Sequence, residues 1–237
     1  MTAALEIIDL GVAHGKKTVF ENLSLQVQPG EIFGLIGVNG AGKTSLMKAS
    51  LRLLEPEAGH VRFFGVSHET PESRRHVAYL PENFRPPSAM TGAQFLRLAL
   101  GFHNLTFARA RADALAIAID LEPGALDRRI ATLSKGMSQK IGLLATFLTQ
   151  CPLLILDEPM NGLDPRARIK LKEQMLAFRA ENKTIFLSSH ILTDLEELCD
   201  RIAVLHNGVI RFNGAPGQLC ALQNEPTLER AFISILD

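Results

Sequence analysis

The chain has 237 residues, 46% of them hydrophobic, which is ample for a sizeable core and excludes global disorder. Lysine plus arginine equals aspartate plus glutamate at 25 each, so no excess positive field marks a nucleic-acid surface, and no nucleic-acid partner is expected. The three cysteines, Cys151, Cys199 and Cys220, are scattered and lack metal-ligand spacing, which points to buried thiols in a reducing, cytoplasmic setting.

The opening MTAALEIIDL carries acids and no basic flank before an apolar stretch, so it does not read as a signal peptide. LEIIDL and ENLSLQVQ alternate apolar and polar residues up to Pro29-Gly30, as half-exposed strands of an antiparallel sheet do. EIFGLIG is a short apolar strand entering a glycine loop, followed by a helix from about Lys43 to Leu54. AGHVRFFG predicts another strand, and HVAYL a buried one ended by Pro81. From about Glu82 to Gln150 the pattern is helical. Thr91 caps the first helix with Gln94 completing a capping box, an Ala-rich helix covers about 106–120, and a third follows Ser134.

LLILDEP returns to an all-apolar run, the mark of a central parallel strand covered on both faces. Asp164-Pro165 opens a helix to about Asn182, and KTIFLSSH is a second central strand. RIAVLHNGVIRFNG is a hairpin whose Asn207-Gly208 pair suits a type I′ turn. A final helix near 226–236 should pack Leu228, Phe232 and Ile235 on the body. The order predicts one α/β domain over the whole chain, with a mostly parallel central sheet, an N-terminal antiparallel part and a helical insertion over about 83–148. No apolar run approaches the ~20 residues of a membrane helix, so work at a membrane requires other chains to do the spanning.

Gly37-Val38-Asn39-Gly40-Ala41-Gly42-Lys43-Thr44 fits the phosphate-loop pattern of NTPases, placed after a strand and before a helix. Its glycines let backbone N–H groups surround a β-phosphate, Lys43 reaches the β- and γ-phosphates, and Thr44 is placed to ligate magnesium. Asp157 and Glu158 close LLILDE and point to opposite sides, so one can hold magnesium through water while the next polarises an attacking water. His190 ends KTIFLSSH and so reaches the carboxyl edge of the sheet, where phosphates also sit. LSKGMSQKIG raises a separate question, because Ser134 opens a helix on Ser-x-Gly and supplies a second anion-ready N-terminus.

Together these stretches resemble an ATP-binding-cassette (ABC) ATPase, the nucleotide-binding subunit of an ABC transporter. LSKGMSQK resembles the signature sequence, LLILDEP the Walker B strand, NGLDP the D-loop, SSH the switch histidine and AYLPEN the Q-loop, in matching order over nearly the full length. The resemblance implies Mg-ATP hydrolysis, with Glu158 and His190 catalytic. It implies ATP contacts from His14, Gly37, Asn39, Gly40, Ala41, Gly42, Lys43, Thr44 and Ser45, and magnesium at Thr44, Asp157 and Glu82. It also implies a homodimer, or a closely related heterodimer, closing head to tail over two ATPs. Ser134 and Gly136 would then serve the partner's nucleotide. Separate transmembrane subunits would hold the chain at the inner face of the plasma membrane, with Glu82 and Asn83–Arg85 at the contact and Phe84 a coupling residue. A non-transport ATPase of the same kind and a nucleotide-gated regulatory module are the alternatives.

The sequence departs from the pattern at four places. Glu82 stands where glutamine is usual, and Lys135-Gly136-Met137 replaces the common Gly-Gly-Gln. The adenine platform, usually aromatic, falls on His14, with Phe20 as a substitute. Glu82-Asn83 and the Lys-Gly-Met signature resemble exporter-type members.

Overall fold

The computed structural model describes residues 2–15 and 17–236. Strands β1 (Leu5–His14) and β2 (Lys17–Val27) form the first antiparallel pair. Alternation buries Leu5 and Ile7 of β1, and Asp9, at φ 48°, lies where the register shifts so that Leu10 and Val12 also face inward. β3 (Ile32–Ile36), buried throughout, leads into the glycine loop and α1 (Lys43–Ser50). α1 stops short of Leu54 because Arg52 turns left-handed, at φ 53°, and the Leu53 and Leu54 N–H groups fold back onto the Lys48 carbonyl. β4 (Ala58–Phe63) and β5 (Val66–Ser67) complete a four-stranded antiparallel sheet in the order β2-β1-β4-β5.

β6 (Val77–Leu80) precedes the helical segment, which holds α2 (Gly92–Phe102), α3 (Arg109–Ala118) and α4 (Lys135–Leu148). The capping box at Thr91 forms as its sequence predicts, with Thr91 Oγ1 accepting from Gln94 N–H and Gln94 Oε1 accepting from Thr91 N–H. The Ala-rich helix is shorter than 106–120 at both ends. Asp120, left-handed at φ 60°, and the Leu121 N–H bonded to the Ala116 carbonyl close it.

β7 (Leu153–Asp157), α5 (Pro165–Ala180), β8 (Thr184–Ser188) and α6 (Leu192–Leu198) follow. β9 (Arg201–His206), β10 (Val209–Gly214), α7 (Pro216–Gln223) and α8 (Leu228–Leu236) complete the chain. The second sheet runs β10-β9-β3-β8-β7-β6, parallel from β9 to β6, with β10 antiparallel at one edge. Both residues of the Asn207-Gly208 turn have positive φ, 48° and 76°, as a type I′ turn requires. α6 and α7 are too short for a helical apolar period to stand out, and the sequence reading passed over both.

The sheet is covered on both faces, which explains its uninterrupted apolar strands. On one face lie α1 and the antiparallel sheet, around Phe33, Leu46, Ile155 and Phe186. On the other lie α4, α5 and α8, with Leu228 buried and Phe232 and Ile235 packed beside it. Phe147 of α4 meets Phe178 of α5 edge to face, with ring centroids 5.4 Å apart. Phe147→Ala removes one ring of that pair and should lower unfolding stability by about 3–5 kcal/mol, the usual cost of emptying a buried aromatic site. The shift in urea midpoint at unchanged slope measures it.

Candidate active site

The glycine loop between β3 and α1 folds as it does because Gly42 has φ 104° and a Cβ there would lie 2.7 Å from a Val19 methyl. No other residue fits both conditions. Gly42 caps α1, so the first-turn N–H groups of Lys43, Thr44 and Ser45 have no partner within the helix, and the positive end of its dipole faces outward. Lys43 is buried, and its Nζ donates to the Gly37 carbonyl at 2.7 Å and the Val38 carbonyl at 3.4 Å. Burial lowers its pKa, and the charges of Glu158, Asp157 and Glu82 oppose that shift.

Opposite the loop, parallel pairing sets Asp157 beside Ser188 at the ends of β7 and β8. The Ser188 hydroxyl donates to Asp157 Oδ1 at 2.6 Å and accepts from the Glu158 N–H at 2.9 Å. Asp157 Oδ2 is buried without a partner. Glu158 is buried with φ 50°, a left-handed conformation that costs a non-glycine residue about 1–2 kcal/mol. That turn carries its carboxylate to His190, whose Nδ1 lies 2.7 Å from Oε2 and whose N–H donates to the same oxygen at 3.3 Å. Tyr79, on the face of β6 that Asp157 shares on β7, has a buried hydroxyl without a partner. Burial raises its pKa, with Asp157 and Glu82 adding to the effect.

The glycine loop, Asp157, Glu158 and His190 share one cleft of about 860 Å³, the size of a small-molecule site. It brings together His14, the loop from Val38 to Ser45, Glu82, Asp157, Glu158 and His190. Gly37 lies behind it, offering its carbonyl to Lys43. Ser134 and Gly136 do not line the cleft. Ser134 caps α4, accepting from Met137 N–H at 3.2 Å. A Cβ on Gly136 would come within 2.8 Å of the Gly162 carbonyl, so the start of α4 packs on the turn after β7.

Phe20 is buried at 2% exposure, beneath Gly42, and offers no platform. Phe84 is half-buried against Phe95, with centroids 5.4 Å apart, and its ring packs on Gly142. It packs on the helical core while Asn83 and Arg85 on either side of it are exposed. Sequence reasoning missed Ser188 as a bridge, and also missed Lys17, Thr18, Val19, Asn161, Asn207 and Gly208 in the cleft wall. The serine pair in LSSH was the available signal for the bridge. The hairpin residues left none, since only the fold brings them to the loop.

A family model described as ABC transporter matches residues 20–161. This chain belongs to the ABC transporter family. An uncharacterised ABC transporter ATP-binding protein of Nostoc sp. is 37% identical over 212 residues, covering 88% of this chain and 63% of that protein. A second cyanobacterial relative, from Synechocystis, is 36% identical, and the match spans 55% of its length. This ABC-family chain is also 34% identical to Nod factor export ATP-binding protein I of Paraburkholderia xenovorans, over 92% of the chain and 73% of that protein. The ABC-type transporter ATP-binding protein EcsA of Bacillus subtilis is 32% identical, over 91% and 88%. A solved structure described as an ATP binding subunit of an ABC transporter superposes with a TM-score of 0.89 at 34% identity, covering 99% of this chain and all of that one. The α/β fold with its mostly parallel sheet is thus the fold of the ABC ATP-binding subunit.

Ser188→Ala leaves the Asp157 oxygen and the Glu158 N–H without their shared partner. The expected loss is about 1–3 kcal/mol for each buried group left unsatisfied, read by denaturant unfolding.

Proposed function

We propose that this chain is the ATP-binding and ATP-hydrolysing subunit of an ABC transporter, energising separate transmembrane subunits from the cytoplasmic face. In this reading residues 1–237 form a single ATPase domain with its helical part inserted over about 83–148. One observation carries the activity. The anion-ready start of α1, the Lys43 ammonium and the Glu158–His190 pair, 2.7 Å apart, meet in one cleft.

Lys43 sits between two backbone carbonyls, and a triphosphate offers it stronger, charged acceptors. The first-turn N–H groups of α1 take phosphate oxygens. Glu158, its Oε2 held by His190, orients the attacking water and takes its proton. His190 keeps that carboxylate in place and faces the γ-phosphate with its second ring nitrogen.

Among the described residues no three His, Cys, Asp or Glu side chains converge on one point, so a soft-metal site has no support. The cleft instead offers hard oxygens, from Thr44, Glu82 and the unpartnered Asp157 Oδ2, and these fit magnesium with water and phosphate as further ligands. Bound there, the ion would neutralise charge on the phosphates.

Ser134 and Gly136 lie outside this chain's own cleft, which supports their use on the nucleotide of a second copy. We therefore infer a head-to-tail homodimer, or a close heterodimer, that closes over ATP. No described helix is long and apolar enough to cross a membrane, so the spanning subunits are separate in this reading. The relatives named for Nod factor export support an exporting complex.

Glu158→Gln should retain ATP binding and slow turnover by ~10²–10⁴-fold, the range for losing a general base. Loss of its charge also removes repulsion across the interface, so an ATP-dependent dimer should accumulate on gel filtration. Normal turnover with only monomer present would remove Glu158 from this role.

A mixing experiment tests the dimer. Lys43→Ala and Ser134→Arg chains should each fail to occlude ATP as homodimers. A mixed dimer has one doubly damaged site and one intact site, so occlusion should return. If confirmed mixed dimers do not occlude ATP, Ser134 does not act across the interface.

A further inference from the structure

His14 lines the cleft beside the start of α1. It closes β1, and β-pairing sets it opposite Lys17 across the turn. Its Nε2 lies 3.0 Å from the hydroxyl of Ser45, in the first turn of α1, a contact spanning 31 residues of sequence. Ser45 has one proton to give. At the N-terminus of α1 that proton is best spent on an anion, because the neighbouring N–H groups already face that way. The hydroxyl then accepts from His14 Nε2–H while donating to a phosphate oxygen. Each bond in such a chain polarises and strengthens the next.

The β1–β2 and β9–β10 hairpins add Lys17, Thr18, Val19, Asn207 and Gly208 to the cleft wall. Apart from the imidazoles of His14 and of His190, the latter held by Glu158, no aromatic ring lines the cleft among the described residues. The chain has no tryptophan and a single tyrosine, Tyr79, which does not line it. Phe20, the nearest candidate ring, is packed under Gly42. A base lying against these hairpins therefore meets aliphatic and polar side chains, with the His14 imidazole engaged by Ser45.

Resting on the reading of this cleft as a nucleoside triphosphate site, we propose that His14 is a positioning residue for the phosphates, acting through Ser45. The site consequently recognises the triphosphate and discriminates weakly among bases. GTP and UTP are then substrates alongside ATP.

Calorimetric affinities for ATP, GTP, UTP and inorganic tripolyphosphate, each with magnesium, test this in the full chain. Stacking on an aromatic ring is worth roughly five-fold or more per base, so without it the three nucleotides should agree within about three-fold. His14→Ala should weaken all four ligands by a common factor of about 3–10, the worth of one hydrogen bond. His14→Gln, whose amide N–H can still reach Ser45, should recover tripolyphosphate binding, and His14→Phe should not.

The proposal is overturned if His14→Ala weakens ATP and leaves tripolyphosphate unchanged, or if it changes neither. It is equally overturned if the unaltered chain prefers ATP over GTP and UTP by more than about ten-fold, as a stacking platform would produce. Lys43→Ala separates this from the underlying reading. Unchanged tripolyphosphate affinity in that variant would remove the phosphate loop itself, whatever His14 does.

Discussion

The Ser188 hydroxyl is shared between two groups that the fold otherwise strands in its interior. Four large apolar residues of β7 carry Asp157 and the Glu158 backbone into a buried edge, where an unsatisfied carboxylate oxygen or N–H is costly. By donating to one and accepting from the other, Ser188 makes that placement tolerable. It also locks the end of β8 to the end of β7, and that register brings His190 to Glu158. The position of the charged groups is thus a consequence of strand pairing, and the loops only complete it.

The two anion-ready helix starts differ in surroundings. The start of α1 opens into a cleft ringed by acids, an ammonium and polar walls, whereas the start of α4 lies away from it. Yet α4 is not independent of the strand end that carries Asp157 and Glu158. Gly136 packs on the Gly162 carbonyl, and Gln139 of α4 donates to the carbonyl of Pro159, next to Glu158. A shift at the strand end has a direct mechanical path to the start of α4 through packed backbone. Any coupling of nucleotide state to the helical segment has that contact available.

Much of this was legible in the sequence because the informative signals are local. The phosphate loop, the apolar run before Asp157-Glu158, the Thr91 capping box and the Asn207-Gly208 turn each depend on residues a few positions apart. Their structures match. What escaped reading was set by distance along the chain. Ser188 meets Asp157 across 31 residues and His14 meets Ser45 across 31, and no period or motif encodes either pairing. The packing of Phe84 escaped for a related reason. Its loop context, beside Pro81 and before Pro86, reads as surface, while Phe95 and Gly142, which cover it, come from two different helices. The short helices α6 and α7 carry too few turns for an amphipathic pattern, so tertiary packing decides them.

On the role proposed for Glu158, its left-handed backbone sets turnover against thermodynamic robustness at a single codon. Glycine or asparagine accepts that geometry more readily than glutamate does, so either replacement should relieve strain while discarding the carboxylate. Selection for thermal tolerance alone would then drift toward a protein that grips nucleotide and no longer consumes it. A laboratory lineage evolved on heat resistance without an activity screen has this position as a ready exit from catalysis, the usual direction of a stability–activity trade-off.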